Sequence, residues 1–171
     1  MTLIERCKTG DRKAQYEVYK QYAKPMFNVC VRITNSIEEA EDVMQEAFLK
    51  MFRSLESYKG DATFGAWFKR IVVNESINHI RRRKLSVLSM DEMQHDLPEA
   101  GAQDKEDLHL SVDRVREAIQ LLPDGYRIVF SLYLLEGYDH SEIAEILQIS
   151  ESASKSQYSR AKKKLRELLA S

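Results

Sequence analysis

Residues 138–168 read YDHSEIAEILQISESASKSQYSRAKKKLREL, and this stretch predicts two helices separated by a very short turn. Asp139 and Ser150 stand at the N-cap positions of the two helices, and Glu142 is placed to complete a capping box on the first. The turn occupies residues 148–150. Two capped helices joined by so short a connection form a helix-turn-helix unit.

The apolar residues of this unit recur every three or four positions, which predicts one buried face on each helix. Ile149, in the turn, is expected to be buried between the helices. The small side chain of Ala144 allows the second helix to cross closely over the first. The buried face of the second helix is predicted to contain Tyr158, Ala161, Leu165 and Leu168.

The opposite face of the second helix combines short polar side chains with a run of cations. Small side chains permit close approach to a groove, Gln and Arg can form paired hydrogen bonds with base edges, and Lys and Arg bind phosphates. These features favour DNA binding over the alternative, a helical hairpin with a solvated basic face. The predicted contacts are Ser152, Ala153, Lys155, Ser156, Gln157, Ser159, Arg160, Lys163 and Lys164.

Charge is distributed unevenly along the 171 residues, although the formal net charge is only −1. Residues 1–90 carry 16 Lys and Arg against 11 Asp and Glu, which gives +5. Residues 91–110 carry one Lys against seven acids (−6), and residues 150–171 carry six cations against two acids (+4). Basic surfaces favour polyanionic partners. This arrangement predicts two folded parts with basic surfaces, joined by an acidic connector.

The composition predicts an all-α fold, because the chain has only 6 Gly and 3 Pro and shows helical periodicity in most segments. Residues 89–107 lack a sustained apolar period and are predicted to be a linker. We therefore expect two small helical domains, residues 1–86 and 109–171, joined by a flexible acidic linker over residues 87–108.

In the N-terminal half, Ser36 and Glu39 predict a capping box at the start of an amphipathic helix. Pro25 lies within the preceding helical pattern, where it should kink or break the helix. A loop rich in Gly and aromatic residues follows at residues 56–67, and a long helix is predicted over residues 64–84.

The histidines do not suggest an enzyme or a metal centre. They lack the three- or four-residue spacing of a helical metal site, and the chain has no nucleophile elbow or Gly-rich phosphate loop. We therefore expect neither a catalytic activity nor a cofactor. The histidines are His79, His95, His109 and His140.

The two cysteines, Cys7 and Cys30, lie in separate helical segments without a CxxC spacing. They are expected to be reduced, partly buried thiols rather than zinc ligands or a redox pair. No apolar run approaches the length of a membrane span, and charges appear too early for a signal peptide. These features favour a cytoplasmic protein.

Five stretches together resemble extracytoplasmic-function (ECF) sigma factors of the sigma-70 class. LPDGYRIVFSLYLLEGYDHSEIAEIL and SKSQYSRAKKKLRELL resemble region 4 of that family. YAKPMFNVCVRIT resembles region 2.1, EEAEDVMQEAFLKMFRSL region 2.2, and FGAWFKRIVVNESINHIRRRK regions 2.3 and 2.4. The resemblance extends over almost the whole chain with its motifs in order. It implies a promoter-recognition subunit of bacterial RNA polymerase, whereas the alternative from the residues alone is a stand-alone helix-turn-helix regulator.

The resemblance also implies roles for particular residues. Region 4 reads the −35 promoter element through the recognition helix, and region 2 recognises and opens the −10 element. The DxxQE pattern of region 2.2, which docks on the β′ clamp helices of the polymerase, matches Asp42, Gln45 and Glu46. The implied −10 contacts are Lys59, Asp61, Phe64, Asn74, Asn78, His79, Arg81, Arg82 and Arg83.

Further partners implied by the resemblance are the β flap of the polymerase and an anti-sigma factor. Two positions depart from the family pattern. Ser154 replaces a residue that normally packs inward at the start of the recognition helix, and Gln148 occupies a turn position where Gly is frequent. The first departure bears on how the recognition helix is seated.

Overall fold

The computed structural model describes residues 1–87 and 111–171, and within these ranges the chain forms helices and turns without strands. The predicted all-α fold is thus confirmed for the described part. Most of the predicted linker, residues 87–108, lies outside the described residues, so its bounds remain a prediction. The N-terminal helices are α1 (Leu3–Lys8), α2 (Arg12–Thr34), α3 (Ile37–Arg53) and α4 (Phe64–Val87), with a 3₁₀ turn at Leu55–Ser57.

Helix α2 is capped by Asp11, whose carboxylate accepts hydrogen bonds from the backbone N–H groups of Lys13 and Ala14. It continues without interruption across Pro25, so the predicted possibility of a break is excluded. Buried residues on both sides of the proline, including Val18 and Met26, anchor the helix to the core. Their packing offsets the backbone hydrogen bond that proline cannot donate.

Helix α3 is capped by Ser36, whose Oγ accepts a hydrogen bond from Glu39 N at 3.2 Å. The predicted capping box is only half formed. The Glu39 carboxylate does not return to the backbone of Ser36 but accepts a hydrogen bond from Arg83 Nη1 at 2.6 Å. A tertiary ion pair therefore replaces the local bond that the sequence spacing predicts.

The core of the N-terminal half lies where α2, α3 and α4 pack together. Its largest fully buried side chains include Ile33, Met51, Phe68, Val72 and Val73. Burying each such side chain contributes about 1.5–3 kcal/mol. Since the apolar stripe of α3 faces this core, its charged stripe faces outward.

The C-terminal half contains α5 (Val112–Gln120), α6 (Asp124–Phe130), a wide π-type turn (Ser131–Leu135), α7 (His140–Leu147) and α8 (Glu151–Ala170). Asp139 Oδ1 accepts from Glu142 N at 2.8 Å, and Ser150 Oγ accepts from Ala153 N at 2.9 Å, so both predicted N-caps are present. Helices α7 and α8 pack against each other as the predicted helix-turn-helix.

The turn between α7 and α8 is closed by Gln148, which adopts the left-handed conformation with φ 56° and ψ 47°. Ile149 N then donates to Ala144 O at 3.1 Å and ends α7. Ile149 is half-buried, so it is only partly the buried plug that the sequence predicts. Gln148 thus takes the backbone conformation that Gly more often supplies at such a turn.

Ser154 is fully buried at the start of α8, where an apolar residue would be the usual choice. Its Oγ and Nδ1 of His140 share a hydrogen bond, with 2.8 Å between the two atoms. The His140 ring stacks on Tyr133, whose ring centroid is 4.4 Å away, and lies 5.7 Å from that of Tyr158. A polar bond thus joins α7 to α8 at the position where apolar packing is expected.

The two halves of the molecule contact each other directly. Five buried residues of the C-terminal half belong to the same continuous apolar core as α2, α3 and α4. They are Ile128, Val129, Leu132, Ile143 and Ile146. A smaller second core, which includes Phe130, Ala161 and Leu165, lies under α5 and α8.

Candidate nucleic-acid and partner interfaces

The outer face of α3 carries three exposed polar side chains: Asp42, Gln45 and Glu46. Their spacing places them on adjacent turns of one helical face. None of the three forms an ion pair or a side-chain hydrogen bond with another described residue. Leu49, one turn further along, is 50% exposed. This face can therefore bind a partner without first breaking an internal contact.

The solvent side of α4 contains three of the predicted −10 contacts, Asn74, Asn78 and Arg82, all of which are exposed. The amide and guanidinium groups of these residues can bond with bases or phosphates. They recur at four-residue intervals, so the helix presents them along one stripe.

Three other predicted −10 contacts of α4 are engaged inside the molecule. Arg83 donates to Glu39 at 2.6 Å and to Asp124 Oδ2 at 3.2 Å. Arg81 Nη2 donates to the carbonyl oxygen of Ile146 at 3.2 Å. His79 Nε2 lies 3.5 Å from Glu39 Oε1. These three predicted −10 contacts are half-buried rather than presented to solvent.

The loop before α4 exposes Lys59 and Asp61, whereas Phe64, the first residue of α4, is buried and only 7% accessible. The Phe64 ring centroid lies 5.3 Å from that of Tyr22 and 5.5 Å from that of Tyr58. Edge contacts of this kind fix the ring within the core. Phe64 therefore anchors the end of the loop to the core. Its ring face is not available for stacking on an extruded base in this conformation.

Trp67 and Tyr58 complete the same aromatic cluster, with 5.3 Å between their ring centroids. Both are half-buried and pack against the core. Tyr58 Oη donates to the carbonyl of Ala62 at 2.7 Å, and Lys8 Nζ donates to the carbonyl of Tyr58 at 3.0 Å. The loop is thus held at Tyr58 by a hydrogen bond from Lys8 of α1, and at its C-terminal end by the packing of Phe64.

On the recognition helix α8, most predicted −35 contacts face solvent. The exposed ones are Ser152, Lys155, Ser156, Ser159, Arg160 and Lys163, whereas Ala153 and Lys164 are half-buried. Lys155 lies 3.5 Å from Glu151, and Lys164 lies 3.6 Å from Glu167; both pairs are exposed enough for phosphates to replace the carboxylates.

Gln157 differs from its neighbours on α8. Its Oε1 is buried, has no hydrogen-bond partner among the described residues, and lies against Gly125 of α6. A side chain at Gly125 would contact this oxygen, since a Cβ there would lie 3.8 Å from it. Gln157 is thus held toward the body of the domain, and reading a base would require its amide to swing outward.

The structure also reveals polar residues that the sequence patterns did not single out: Arg32, Lys69, Arg127 and Glu136. Arg127 is buried, and Glu136 lies between Arg32 and Lys69. No local signal marks the bonds that these residues make between the two halves, because the bonded residues lie 67 to 104 positions apart along the chain. The sequence contains one hint of this network. Arg127 is a charged residue at a position where the apolar period of α6 predicts a buried side chain.

Both cysteines are free thiols, as the sequence predicts. They are buried, whereas the sequence predicts only partial burial. Burial raises the pKa of Cys30 to about 11, which keeps the thiol protonated and unreactive at neutral pH.

In the described part of the chain, no cluster of His, Cys, Asp and Glu could hold a metal ion. His95 and His109 lie outside the described residues. Within residues 1–87 and 111–171, no helix is both long and apolar enough to cross a bilayer.

Family models match both halves of the chain: sigma-70 region 2 matches residues 18–85, and sigma-70 region 4 matches residues 113–165. Among characterised proteins, the ECF RNA polymerase sigma-E factor of Escherichia coli K12 is 31% identical, over 94% of this chain and 88% of the relative. The ECF RNA polymerase sigma factor SigW of Bacillus subtilis is 29% identical, over 97% and 94% of the two chains.

Two solved structures share the fold. The sigma factor RpoE of Bartonella quintana, crystallised with the anti-sigma factor NepR, aligns with a TM-score of 0.61 at 21% identity, over 91% of this chain and 96% of that one. CnrH, solved with the cytosolic domain of CnrY, aligns with a TM-score of 0.58 at 22% identity, over 98% and 95%. The family models, the similarity to the sigma-E factor and the helix-turn-helix geometry agree, and the chain belongs to the extracytoplasmic-function family of RNA polymerase sigma factors.

Proposed function

We propose that this sigma factor joins core RNA polymerase through the outer face of α3, with Asp42, Gln45 and Glu46 against the clamp helices of the β′ subunit. Two observations support this role. The three side chains are exposed, and none of them is engaged by another described residue. The apolar stripe of the same helix is fixed in the core, so docking does not require the domain to rearrange.

The recognition helix α8 binds the −35 element in this proposal. Its small exposed serines allow close approach to the major groove, while Arg160 and Lys163 bind phosphates and set the register. Lys155 is the exposed cation nearest the N-terminal end of α8, the end that inserts into the groove in helix-turn-helix proteins.

The −10 element lies along α4 and the preceding loop. The exposed residues Asn74, Asn78, Arg82, Lys59 and Asp61 are the proposed direct contacts. We assign Phe64 a different role from the one that the sequence suggests. Because Phe64 is packed among aromatic rings, it supports the loop that receives the base and does not itself stack on the base.

The single observation that carries the proposal is the presence, in one sigma-type chain, of an exposed acidic face on α3 and an exposed basic face on α8. Cytoplasmic localisation, contact of region 4 with the β flap, and control by an anti-sigma factor belong to the same proposal. A stand-alone helix-turn-helix regulator is not supported, because region 2 is present as well as region 4.

Run-off transcription on fragmented genomic DNA tests the proposal. Purified core RNA polymerase should start discrete transcripts when this chain is added, and their start sites report the promoter. A chain carrying Asp42→Arg with Glu46→Arg should give no transcripts. Failure of the unaltered chain to associate with core enzyme would reject the proposal.

A further inference from the structure

His140, the first residue of α7, lies in a cluster of aromatic rings beside the recognition helix. Its ring stacks on that of Tyr133, with an interplanar angle of 15° and 4.4 Å between the centroids. Tyr158 of α8 packs against both rings, with its centroid 4.5 Å from that of Tyr133 and 5.7 Å from that of His140. These contacts fix the plane and the position of the imidazole.

The Nδ1 atom of this imidazole is bonded to the buried hydroxyl of Ser154, the fourth residue of α8, with 2.8 Å between the two atoms. The hydroxyl has no other hydrogen-bond partner among the described residues. A buried O–H group that lacks an acceptor is costly, so the hydroxyl of Ser154 donates and Nδ1 accepts. The neutral imidazole carries a single proton, which then lies on Nε2.

The Nε2 atom of His140 has no partner within the described part of the chain. It forms no hydrogen bond with another described residue, and it is not among the buried polar atoms that lack a partner. It therefore reaches solvent. The half-buried His140 thus presents an N–H donor whose direction is set by Tyr133 and Ser154.

His140 lies where the DNA backbone passes in helix-turn-helix complexes. In such proteins the first helix crosses the backbone, while the N-terminal residues of the second contact base edges. Here α7 is the first helix, and Ser154 adjoins the exposed Lys155 near the N-terminal end of α8. The carboxylate of Asp139, which precedes His140, is engaged with the backbone of α7 and accepts from Glu142 N at 2.8 Å. The dipole of α7 adds partial positive charge at this end.

We infer that His140 bridges the recognition helix and the DNA backbone. Its Nδ1 holds α8 through Ser154, and its Nε2 donates to a phosphate oxygen beside the −35 element. Contacts to phosphates fix the register and orientation of a protein on the duplex. Because the helix and the phosphate bind the same rigid ring, the bridge sets how deeply the first turns of α8 enter the major groove. Ser154 is thereby a positioning residue. This inference rests on the proposed function of α8.

Two substitutions of the full chain separate the two nitrogen atoms of His140. The amide of Asn ends at the same number of bonds from the backbone as Nδ1, whereas the amide of Gln reaches the position of Nε2. His140→Asn therefore keeps a partner for Ser154 and loses the outer donor. His140→Gln keeps the outer donor and loses the partner of Ser154.

Urea denaturation and binding to a fluorescein-labelled DNA duplex of arbitrary sequence provide the two measurements. Such a duplex is sufficient because phosphate contacts do not depend on base sequence. His140→Asn should bind the duplex about fivefold more weakly than the unaltered chain, as expected for the loss of one hydrogen bond, whereas His140→Gln should stay within about twofold. The midpoint of urea denaturation should be higher for His140→Asn than for His140→Gln. The two measurements thus rank the variants in opposite order.

A purely structural role of His140 would rank the two variants in the same order in both measurements, and this result would overturn the inference. Arg116→Ala removes an exposed cation from α5 and should change neither measurement. Arg160→Ala shows whether the duplex engages α8. If Arg160→Ala weakens binding and His140→Asn does not, the proposed function stands and the inference is wrong. If neither weakens binding, the DNA-binding role of α8 fails and the inference fails with it.

Nuclear magnetic resonance of the unaltered chain, labelled with ¹⁵N at its 4 histidines, decides the matter if a His140 variant fails to fold. Ser154→Ala identifies the imidazole signals of His140, because it removes the partner of Nδ1. Addition of the duplex should then shift the Nε2 signal of His140. An Nε2 signal that does not move at saturating duplex would overturn the inference.

Discussion

Ser154 shows how one buried side chain seats the recognition helix. It has no exposed surface, and its hydroxyl bonds with His140 on α7 at 2.8 Å. His140 is held in turn by stacking on Tyr133. A hydroxyl at this position would be costly without a partner, so the bond to His140 is what makes a serine acceptable there.

Ser154→Ala should lower the free energy of unfolding by about 1 kcal/mol, since it removes the hydroxyl partner of His140. Urea denaturation followed by circular dichroism measures the change. The matched control is Ser156→Ala on the exposed side of α8, which should change stability by less than about 0.5 kcal/mol. A double-mutant cycle with His140→Ala should show that the two losses are not additive; additive losses would contradict the bond.

Phe64 is a second residue whose environment determines its role. Phe64→Ala should destabilise the protein by about 3–5 kcal/mol, because it leaves a cavity among aromatic rings. Chemical denaturation gives the magnitude, with the exposed Lys59→Ala as a control of little effect. Retention of full stability by Phe64→Ala, with loss only of strand opening, would restore the ring as a direct base platform.

At the scale of elements, α3 and α8 present opposite charges on faces that their own amphipathic patterns select. The buried stripe of α3 includes Val43, Ala47 and Met51, and that of α8 includes Ala161 and Leu165. Burial of these stripes fixes which side of each helix meets solvent. The polar faces are therefore rigid surfaces before any partner arrives.

Reversing charge on α3 with Asp42→Arg and Glu46→Arg should abolish co-purification with core polymerase while the helical circular dichroism signal is retained. Like charges opposed at an interface cost several kcal/mol, whereas exposed positions contribute little to the fold. Glu117→Arg with Glu167→Arg makes the same charge change on region 4 and should retain binding to the core. Binding of core polymerase by the α3 variant would exclude this face.

For α8, Arg160→Ala should weaken DNA binding and reduce the slope of log Kobs against log salt concentration by about one. The reason is that one phosphate contact, with its released counterion, is lost. Fluorescence anisotropy over a salt series measures the slope. Arg116→Ala removes an exposed cation from α5 and should leave the slope unaltered; an unchanged slope for Arg160→Ala would exclude a phosphate contact.

At the scale of the whole molecule, the two halves are joined by a polar network around Asp124. Burial opposes ionisation of Asp124, but its hydrogen bond with Arg127 and the charges of Arg127, Lys84 and Arg83 lower its pKa below the ordinary value of 3.8. The ionised carboxylate thus orients Arg127 within α6 and binds Arg83 across the contact between α6 and the N-terminal half.

Because the pKa of Asp124 is lower in the folded protein, its contribution to stability is fully present above its unfolded value, near pH 4, and is lost as pH falls through the lowered pKa. The unfolding free energy of the unaltered chain should therefore fall more steeply below about pH 4 than that of Asp124→Asn. Urea titrations at several pH values provide the measurement, with Asp113→Asn on exposed α5 as control. Parallel pH profiles for the unaltered chain and Asp124→Asn would contradict this role.

Local sequence patterns predict the helices, the N-caps, the helix-turn-helix and the exposed face of α3, because these features depend on neighbours within a few residues. Asp139, Ser150 and the apolar spacing of α8 are examples. The same patterns predict local or exposed roles for three residues that the structure places differently. Glu39 bonds with Arg83, Phe64 packs in an aromatic cluster, and Gln157 lies against Gly125.

The contact between the two halves depends on tertiary packing. Arg127 and Glu136 meet partners 95 and 104 residues away, and no periodicity or spacing along the chain encodes such a pairing. Their effect depends on burial, which deprives the charges of water and makes the bonds with α2 specific. Local patterns define the two modules, and long-range burial of a few charges fixes how the modules meet.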